Sequence, residues 1–97
     1  MASMEGTRFE VRGEVQGVGY RYFVLGHAQR LQLRGWVRNR PDASVEVAAY
    51  GAPGRLRELE AQLWAGPPAA RVAEVRRSAW RVAEEGEAPA GFAIVRG

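Results

Sequence analysis

The chain contains no cysteine, no lysine and a single histidine, His27. Without cysteine it forms no disulfide, has no thiolate nucleophile and offers no cysteine ligand to a metal. His27 has no second histidine or acid at ligand spacing, so we interpret it as a packing or surface residue. We therefore expect neither a metal nor another cofactor.

The sequence also lacks an apolar run long enough to span a membrane, and no basic-then-apolar signal segment stands at its start. We therefore expect a cytoplasmic location and no membrane partner. The 97 residues are predicted to form one domain, 1–97, of which residues 1–6 show no periodicity and are expected to fray. Nothing in the pattern suggests more than a monomer.

Arginine supplies all 14 basic residues, against 11 acidic ones, which gives a net charge of +3 and an isoelectric point near 10.2. This balance favours anionic partners, either nucleic acid or small phosphorylated molecules. The arginines are scattered, however, and only Arg76 and Arg77 are adjacent. Such a pair is typical of a solvated strand edge, so we expect no nucleic-acid partner.

Hydrophobic periodicity predicts five strands and two helices. The strands are expected at about 7–13, 35–39, 44–50, 72–82 and 91–96, and the helices at about 21–33 and between Gly54 and Gly66. In the third strand Val45, Val47 and Ala49 are expected to face the core, while Ser44 and Glu46 face out.

Two segments late in the chain interrupt this pattern. The fourth strand keeps its alternation only if a bulge separates residues 73–75 from residues 80–82. Residues 84–89 are expected to form an exposed loop. The order βαββαβ with a terminal strand predicts an α+β ferredoxin-like sandwich, in which an antiparallel sheet carries both helices on one face.

A glycine-rich turn joins the first strand to the first helix, and it reads Gly13-Glu14-Val15-Gln16-Gly17-Val18-Gly19-Tyr20-Arg21. No Ser, Thr, Asp or Asn stands between Thr7 and Asn39 to cap that helix, and Arg21 places a cation where the helix dipole disfavours one. A bound anion would satisfy the free N–H groups and pair with Arg21. We interpret the turn as an oxyanion cradle with Arg21 as its clamp, the alternative being an ordinary glycine-rich turn with a surface arginine.

Two better-known phosphate motifs do not fit this turn. The ATP-type loop ends in Gly-Lys-Ser/Thr, and the chain has no lysine. The dinucleotide fingerprint would need a third glycine where Tyr22 stands after Gly17 and Gly19.

Asn39 is the only asparagine, and it ends the strand that follows the first helix. Beside a hairpin turn, asparagine is often a turn-forming residue. If the second strand lay beside the first, however, Asn39 would approach the cradle. Its amide offers both a donor and an acceptor, so it could orient a water molecule without titrating.

These residues resemble the acylphosphatase family. The turn matches the signature Gly-x-Val-Gln-Gly-Val-x-Phe/Tyr-Arg, and a second signature is matched by Gly35-Trp36-Val37-Arg38-Asn39. Similarity extends over residues 7–96 and includes Val45-Glu46, Gly66-Pro67-Pro68 with Val72 and Val75, and Phe92-Ala93-Ile94. The chain departs from the family at Ala43, where glycine is usual, and at Glu14, where a basic residue is frequent.

The resemblance implies a ferredoxin-like fold and an enzyme that hydrolyses acyl phosphates to a carboxylate and inorganic phosphate. It implies that Arg21 grips the phosphoryl group and that Asn39 positions the attacking water. It also implies a cradle of main-chain amides, contributed by Gln16, Gly17, Val18, Gly19 and Tyr20. No metal or cofactor belongs to this chemistry, because an acyl phosphate already carries a good leaving group and needs chiefly charge stabilisation.

Two other classes share parts of this pattern. RNA-recognition domains have the same element order, but residues 44–51 hold one aromatic residue and an acid where those domains carry an aromatic-rich strand. A phosphate-sensing domain would keep the cradle without turnover. Loss of the anhydride of benzoyl phosphate would separate the three hypotheses.

Overall fold

The computed structural model describes residues 3–82 and 89–96. Its seven elements follow the predicted order: β1 (Glu5–Glu14), α1 (Tyr20–Arg30), β2 (Arg34–Asn39), β3 (Val45–Gly51), α2 (Pro53–Ala65), β4 (Arg71–Ala79) and β5 (Phe92–Ile94). The ferredoxin-like α+β fold is thus confirmed. Of the loop expected at 84–89, residues 84–88 lie outside the described residues.

The sheet has the strand order β4-β1-β3-β2-β5. Its first four strands pair antiparallel, as predicted, but β5 runs parallel to β2 and makes the sheet mixed. The second strand does not lie beside the first: β3 separates them, with Val45 paired to Val11 on one side and to Asn39 on the other. Any approach of Asn39 to the glycine-rich turn must therefore pass the start of β3.

The core lies between the sheet and the two helices. Alternate residues of β1, β3 and β2 meet the buried stripes of α1 and α2, and the fully buried members include Phe9, Val11, Val24, Val37, Val47, Leu59 and Leu63. Val45, Val47 and Ala49 face this core, as the alternation predicts. Burial contributes about 0.8 kcal/mol for each CH₂ group. This packed layer therefore holds the glycine-rich turn and Asn39 in fixed positions relative to each other.

Helix α1 ends three residues before its predicted end. Gln32 adopts a left-handed conformation with φ 56°, and its N–H donates to the Gln29 carbonyl while Leu33 N–H donates to Ala28. This is the Schellman arrangement, which usually has glycine at the left-handed position. The sequence has Gly35 further on and glutamine here, which is why the pattern places the end too late.

Ser44 and Glu46 are not solvated, contrary to expectation: their exposed fractions are 1% and 2%. Glu46 lies on the sheet face away from the helices, where Arg38 Nη2 approaches its carboxylate at 2.8 Å, Arg8 at 3.4 Å and Arg40 at 3.5 Å. The long arginine side chains cover the carboxylate that they pair with. A polar residue on the open face is therefore buried without entering the core.

Strand β4 is continuous to Ala79, and its irregularity lies elsewhere than predicted. The register shifts opposite Arg12 and Gly13, where Glu74 and Val72 pair with them and Ala73 is skipped. Trp80 falls beyond the strand and is buried. No helix among the described residues has the length and apolar character needed to cross a membrane.

Candidate active site

The turn between β1 and α1 takes its shape from two left-handed glycines. Gly17 has φ 74° and Gly19 has φ 80°, a region that costs other residues roughly 1–2 kcal/mol. A Cβ on either would meet no atom within 4 Å, so the requirement is conformational and not steric. The two glycines allow the main chain to fold back before the helix begins.

Gly19 is the residue that precedes α1, and it has no side chain to cap the helix. The first turn of the helix contains no acidic residue either. Within the described residues, none of the main-chain hydrogen bonds of turns, loops and caps has its donor in residues 16–20. The N–H groups at this helix start therefore lack main-chain acceptors among the described residues, which is the condition that an anion cradle requires.

A cavity of about 140 Å³ opens at this helix start. Its lining residues are Val15, Gly17, Gly19, Tyr20, Arg21, Tyr22 and Asn39. A water molecule occupies ~30 Å³ of the liquid, so the space suits a tetrahedral anion with a water beside it. Asn39 and the turn therefore share one cavity, although β3 separates their strands.

Arg21 lines this cavity half-buried, and its guanidinium has no hydrogen bond or ion pair with any other described residue. Within the described part of the chain, Arg57, Arg81 and Arg96 also lack such a partner, but these three are exposed to solvent. A half-buried guanidinium without a counter-charge is costly unless an anion completes it. Its fork of donors suits two oxygens of a phosphoryl group.

Asn39 contributes the second unsatisfied group. Its Oδ1 is buried and, among the described residues, accepts no hydrogen bond. A buried acceptor without a donor costs about 1–3 kcal/mol, so a donor from outside the described residues would stabilise it. Water is one such donor.

The structure brings Arg21, Asn39, Gly17, Gly19 and Tyr20 to one cavity, but Gln16 and Val18 are not among its lining residues. The Val18 side chain packs against the hydrophobic core. Gln16 turns its amide toward the β2–β3 turn, where Nε2 donates to two carbonyls. If these two residues contribute to an anion site, they do so only through their main chain.

Tyr20 anchors the helix start to the second helix. Its ring is 1% exposed, and its hydroxyl donates to the Leu63 carbonyl at 2.7 Å. Burial raises the pKa of this hydroxyl far above its ordinary value, so it stays protonated. Tyr20 therefore positions the neighbouring Arg21 without taking part in proton transfer.

The β2–β3 turn, residues 40–44, is held by its own hydrogen bonds. Arg40 N–H donates to Ser44, Ala43 N–H donates to Arg40, and Asp42 Oδ1 accepts from both the Ser44 N–H and its hydroxyl. Ala43 has φ 74°, the left-handed conformation for which glycine is better suited. The departure from the family pattern at this residue thus leaves a turn of left-handed shape.

The hydrogen bonds from Ser44 lower the pKa of Asp42. Desolvation opposes them, and the nearby Arg12 and Arg40 act in the same direction as Ser44. Glu14, the other departure from the family pattern, lies outside the cavity lining. Its carboxylate is 3.8 Å from Arg71, and both side chains are largely exposed. It does not point an acid at the proposed anion.

Sequence reasoning missed Val15 and Tyr22 as lining residues. Val15 is buried next to the turn, and Tyr22 has 71% of its side chain exposed. The one available signal was position, since Tyr22 follows Arg21 at the helix start where side chains surround the N–H groups. Its aromatic character alone gave no reason to place it at the site.

On the open face of the sheet, other side chains of the described part of the chain cover the Trp36 ring. Arg38 and Arg8 lie over the Trp36 ring at 4.9 and 5.9 Å, and Trp80 packs against it edge-on at 6.2 Å. Base stacking on such a face would have to displace these contacts. The arrangement gives the RNA-recognition hypothesis no support.

The acylphosphatase family is found by each of three comparisons with known proteins. The acylphosphatase family model matches residues 7–94. An acylphosphatase of Xanthomonas euvesicatoria is 52% identical over 79 residues, which cover 81% of this chain and 90% of that protein. Two solved structures are similar throughout: an acylphosphatase from Bacillus subtilis (TM-score 0.84, 35% identity, 96% and 99% of the two chains covered) and one from Coxiella burnetii (TM-score 0.86, 34%, 95% and 93%).

Proposed function

The chain belongs to the acylphosphatase family, hydrolases that act on acid anhydrides, and we propose how its own residues carry out the reaction. The substrate is an acyl phosphate, and the products are a carboxylate and inorganic phosphate. The observation that carries the proposal is that two residues with unsatisfied groups line one cavity, Arg21 with its half-buried guanidinium and Asn39 with its buried Oδ1.

Binding comes first. The guanidinium of Arg21 donates to two phosphoryl oxygens, and the main-chain N–H groups of residues 16–20 surround the same group. These donors are fixed by the left-handed glycines and by the buried Tyr20, so they need no reorganisation when the transition state forms. They supply positive charge where a loose, metaphosphate-like transition state spreads its negative charge.

Attack by water follows. Asn39 Oδ1 accepts a hydrogen bond from the water and aligns its oxygen with the phosphorus atom, opposite the leaving oxygen. A P–O bond forms to this water, the bond from phosphorus to the acyl oxygen breaks, and its electron pair leaves on the carboxylate. The acyl phosphate dianion and H₂O thus give RCOO⁻ and H₂PO₄⁻, with both water protons on the phosphate.

The residues at the site match this demand. The leaving carboxylate is weakly basic, so no general acid is required, and the transition state needs little help from a base. Within the described residues no group of three or more His, Asp or Glu side chains is arranged to hold a metal ion. The proposal includes a monomer that acts in the cytoplasm on small acyl phosphates, without nucleic acid or membrane.

The test uses benzoyl phosphate after exhaustive chelation of the protein. Wild type should hydrolyse it, and Arg21→Lys should lower kcat/KM by about 100-fold or more, because an ammonium group cannot match two oxygens with a planar fork. Arg57→Lys is the matched control, since Arg57 is exposed on α2 and lies outside the cavity. It should retain wild-type efficiency.

Three results would contradict the proposal. Activity that depends on restoring one divalent ion would replace the metal-free mechanism. Near wild-type efficiency of Arg21→Lys would remove the bidentate role of Arg21. Phosphate binding without turnover in the wild type would favour the phosphate-sensing hypothesis.

A further inference from the structure

The side-chain amide of Gln16 connects the glycine-rich turn to the β2–β3 turn. Its Nε2 donates to the Arg40 carbonyl at 2.9 Å and to the Ser44 carbonyl at 2.8 Å. Both hydrogens of the amide group are therefore used, one on each end of the β2–β3 turn. Gln16 itself is half-buried, so these hydrogen bonds are partly shielded from water.

This bridge connects two parts of the proposed site that lie on strands that are not neighbours in the sheet. The glycine-rich turn leaves β1, whereas Asn39 is at the end of β2, and β3 lies between these strands. Arg40 directly follows Asn39, and Ser44 directly precedes Val45, the residue paired with Asn39. The amide thus fixes the anion cradle to the Ser44–Val45 peptide group and to the carbonyl of Arg40, the residue that follows Asn39.

A second connection between these regions is weaker. Arg12, near the end of β1, approaches Asp42 at 3.2 Å, with exposed fractions of 44% and 42% for the two side chains. Exposed ion pairs contribute about 0–1 kcal/mol and do not impose a fixed geometry. A planar amide that donates to two carbonyls constrains distance and orientation together.

We propose that Gln16 is a positioning residue for the hydrolysis: its side chain fixes the distance between the anion cradle and Asn39, and so aligns the attacking water with the phosphorus atom. The inference rests on the proposed function. Gln16 does not line the cavity, so its side chain acts on the reaction through Asn39. A misplacement of about 1 Å between nucleophile and phosphoryl group is enough to slow the reaction about 100-fold.

A double-mutant cycle tests this role. Gln16→Met keeps the length of the side chain and the main-chain N–H but removes both donors. We expect it to lower kcat for benzoyl phosphate about tenfold or more, while competitive inhibition by phosphate changes less than about threefold. In the Asn39→Ala background the same change should lower kcat less than about threefold, because the residue to be positioned is absent.

Arg55→Met is the matched control. Arg55 Nη1 also makes a two-acceptor bridge between separate elements, to the Leu31 carbonyl at 3.1 Å and Gln32 Oε1 at 2.8 Å, and it lies outside the cavity. Its loss should lower the melting temperature and leave kcat unchanged. A bridge that is merely structural would make Gln16→Met behave like this control.

Gln16→Glu is a second test of the positioning role, and it can be carried out even if Gln16→Met does not fold. At neutral pH its carboxylate would face two carbonyls with no hydrogen to donate, and kcat should fall. When the carboxyl is protonated it can donate to one carbonyl, so its kcat relative to wild type should rise as the pH is lowered. A ratio that does not change with pH contradicts the proposal.

The outcomes distinguish a failure of the proposed function from a failure of the inference about Gln16. If Asn39→Ala alone retains wild-type kcat, the proposed function fails, and the inference about Gln16, which rests on it, is overturned with it. If Asn39→Ala is slow but Gln16→Met costs the same factor in both backgrounds, the water-positioning role of Asn39 stands and the inference about Gln16 is overturned. Wild-type kcat in Gln16→Met overturns it as well.

Discussion

Asn39 Oδ1 and the Arg21 guanidinium have no hydrogen-bond partner among the described residues, whereas the residues next to them do. Tyr20 bonds to Leu63, and the residues that flank Asn39 and its partner bond to Gln16. The main chain around the cavity is therefore held in place, whereas these two side-chain groups have hydrogen-bonding capacity that the proposed function assigns to substrate and water. Under the proposed function, the free-energy cost of these unsatisfied groups in the free protein is recovered in the transition state.

Replacement of Asn39 by alanine separates water positioning from a turn-forming role. We expect Asn39→Ala to lower kcat about 100-fold or more, because the interaction lost is made chiefly on the way to the transition state. The side chain carries no charge, so competitive inhibition by phosphate should change much less than in Arg21→Ala. Steady-state kinetics on benzoyl phosphate with phosphate as inhibitor measure both quantities.

Gln29→Ala serves as the control for that experiment, since Gln29 is an exposed amide on α1 outside the cavity. It should leave kcat unchanged. A destabilised but active Asn39→Ala protein would show that the asparagine forms the turn and does not position water.

Ala43 is a residue whose conformation conflicts with its side chain. At φ 74° its Cβ is crowded by the following carbonyl, which costs roughly 1–2 kcal/mol, while glycine at the same place would lose about 0.5–1 kcal/mol of backbone entropy on folding. We therefore expect Ala43→Gly to raise the free energy of unfolding by about 0.5–1 kcal/mol. Urea denaturation measures the change.

The opposite sign is expected for Ala61→Gly, on the exposed surface of α2, which should lower the free energy of unfolding by about 1 kcal/mol. If both variants lose stability equally, the left-handed turn at Ala43 is not strained. Both variants should keep the wild-type kcat, because glycine readily adopts the left-handed conformation that Ala43 has in the β2–β3 turn, and Ala61 is on α2 outside the cavity.

Among the elements, the β2–β3 hairpin carries a titratable residue at its turn. Hydrogen bonds from Ser44 lower the pKa of Asp42 below its ordinary value of 3.8. A group with a depressed folded pKa stabilises the fold above its unfolded pKa, and this contribution is lost as the pH falls through the folded pKa. Acid below about pH 4 should therefore weaken the hairpin.

Asp42→Asn tests the contribution, because asparagine keeps an acceptor for Ser44 but does not titrate in this range. As the pH is lowered from about 5 to below the folded pKa of Asp42, the free energy of unfolding of Asp42→Asn should fall less steeply than that of wild type. Parallel pH profiles of the two proteins would show that Asp42 does not contribute.

The element order and the core face of β3 follow from the sequence because burial on one face imposes alternation. The same rule misplaces Glu46, since alternation indicates which face a residue is on and not whether neighbouring arginines cover it. It also fails on β4, an edge strand whose far end is exposed on both faces and so shows no apolar contrast. The direction of β5 could not be predicted, because parallel and antiparallel strands share a period of two.

At the scale of the whole molecule, the meeting of Arg21 and Asn39 at one cavity could be predicted from the sequence, but not the contacts that bring them together. Arg21 and Asn39 stand in two signatures, and both line the cavity. The sequence suggests that they meet through adjacent strands, whereas the sheet places β3 between these strands and the Gln16 amide crosses the gap. Such a bridge needs two carbonyls brought close by the fold, and no spacing along the chain reveals them.

Anion binding at the glycine-rich turn is expected to increase the free energy of unfolding of the entire domain. A ligand that binds only the folded state adds RT ln(1 + [L]/Kd) to the free energy of unfolding, or about 2.7 kcal/mol at 100 times Kd. For a domain of this size each kcal/mol raises the melting temperature by about 4–8 °C. Phosphate and sulfate should therefore raise the melting temperature of the wild type in a saturable manner.

Both anions also stabilise folded proteins by exclusion from the surface, so the wild type alone is not a sufficient test. Arg21→Ala provides the reference: it should keep the general salt effect and lose the saturable part, while Asn39→Ala should keep both, because the amide does not hold the phosphoryl group. The measurement is thermal unfolding of the three proteins over a phosphate titration at constant ionic strength. If the melting temperatures of wild type and Arg21→Ala rise equally with phosphate concentration, the anion binds elsewhere or not at all, and Arg21 does not hold it.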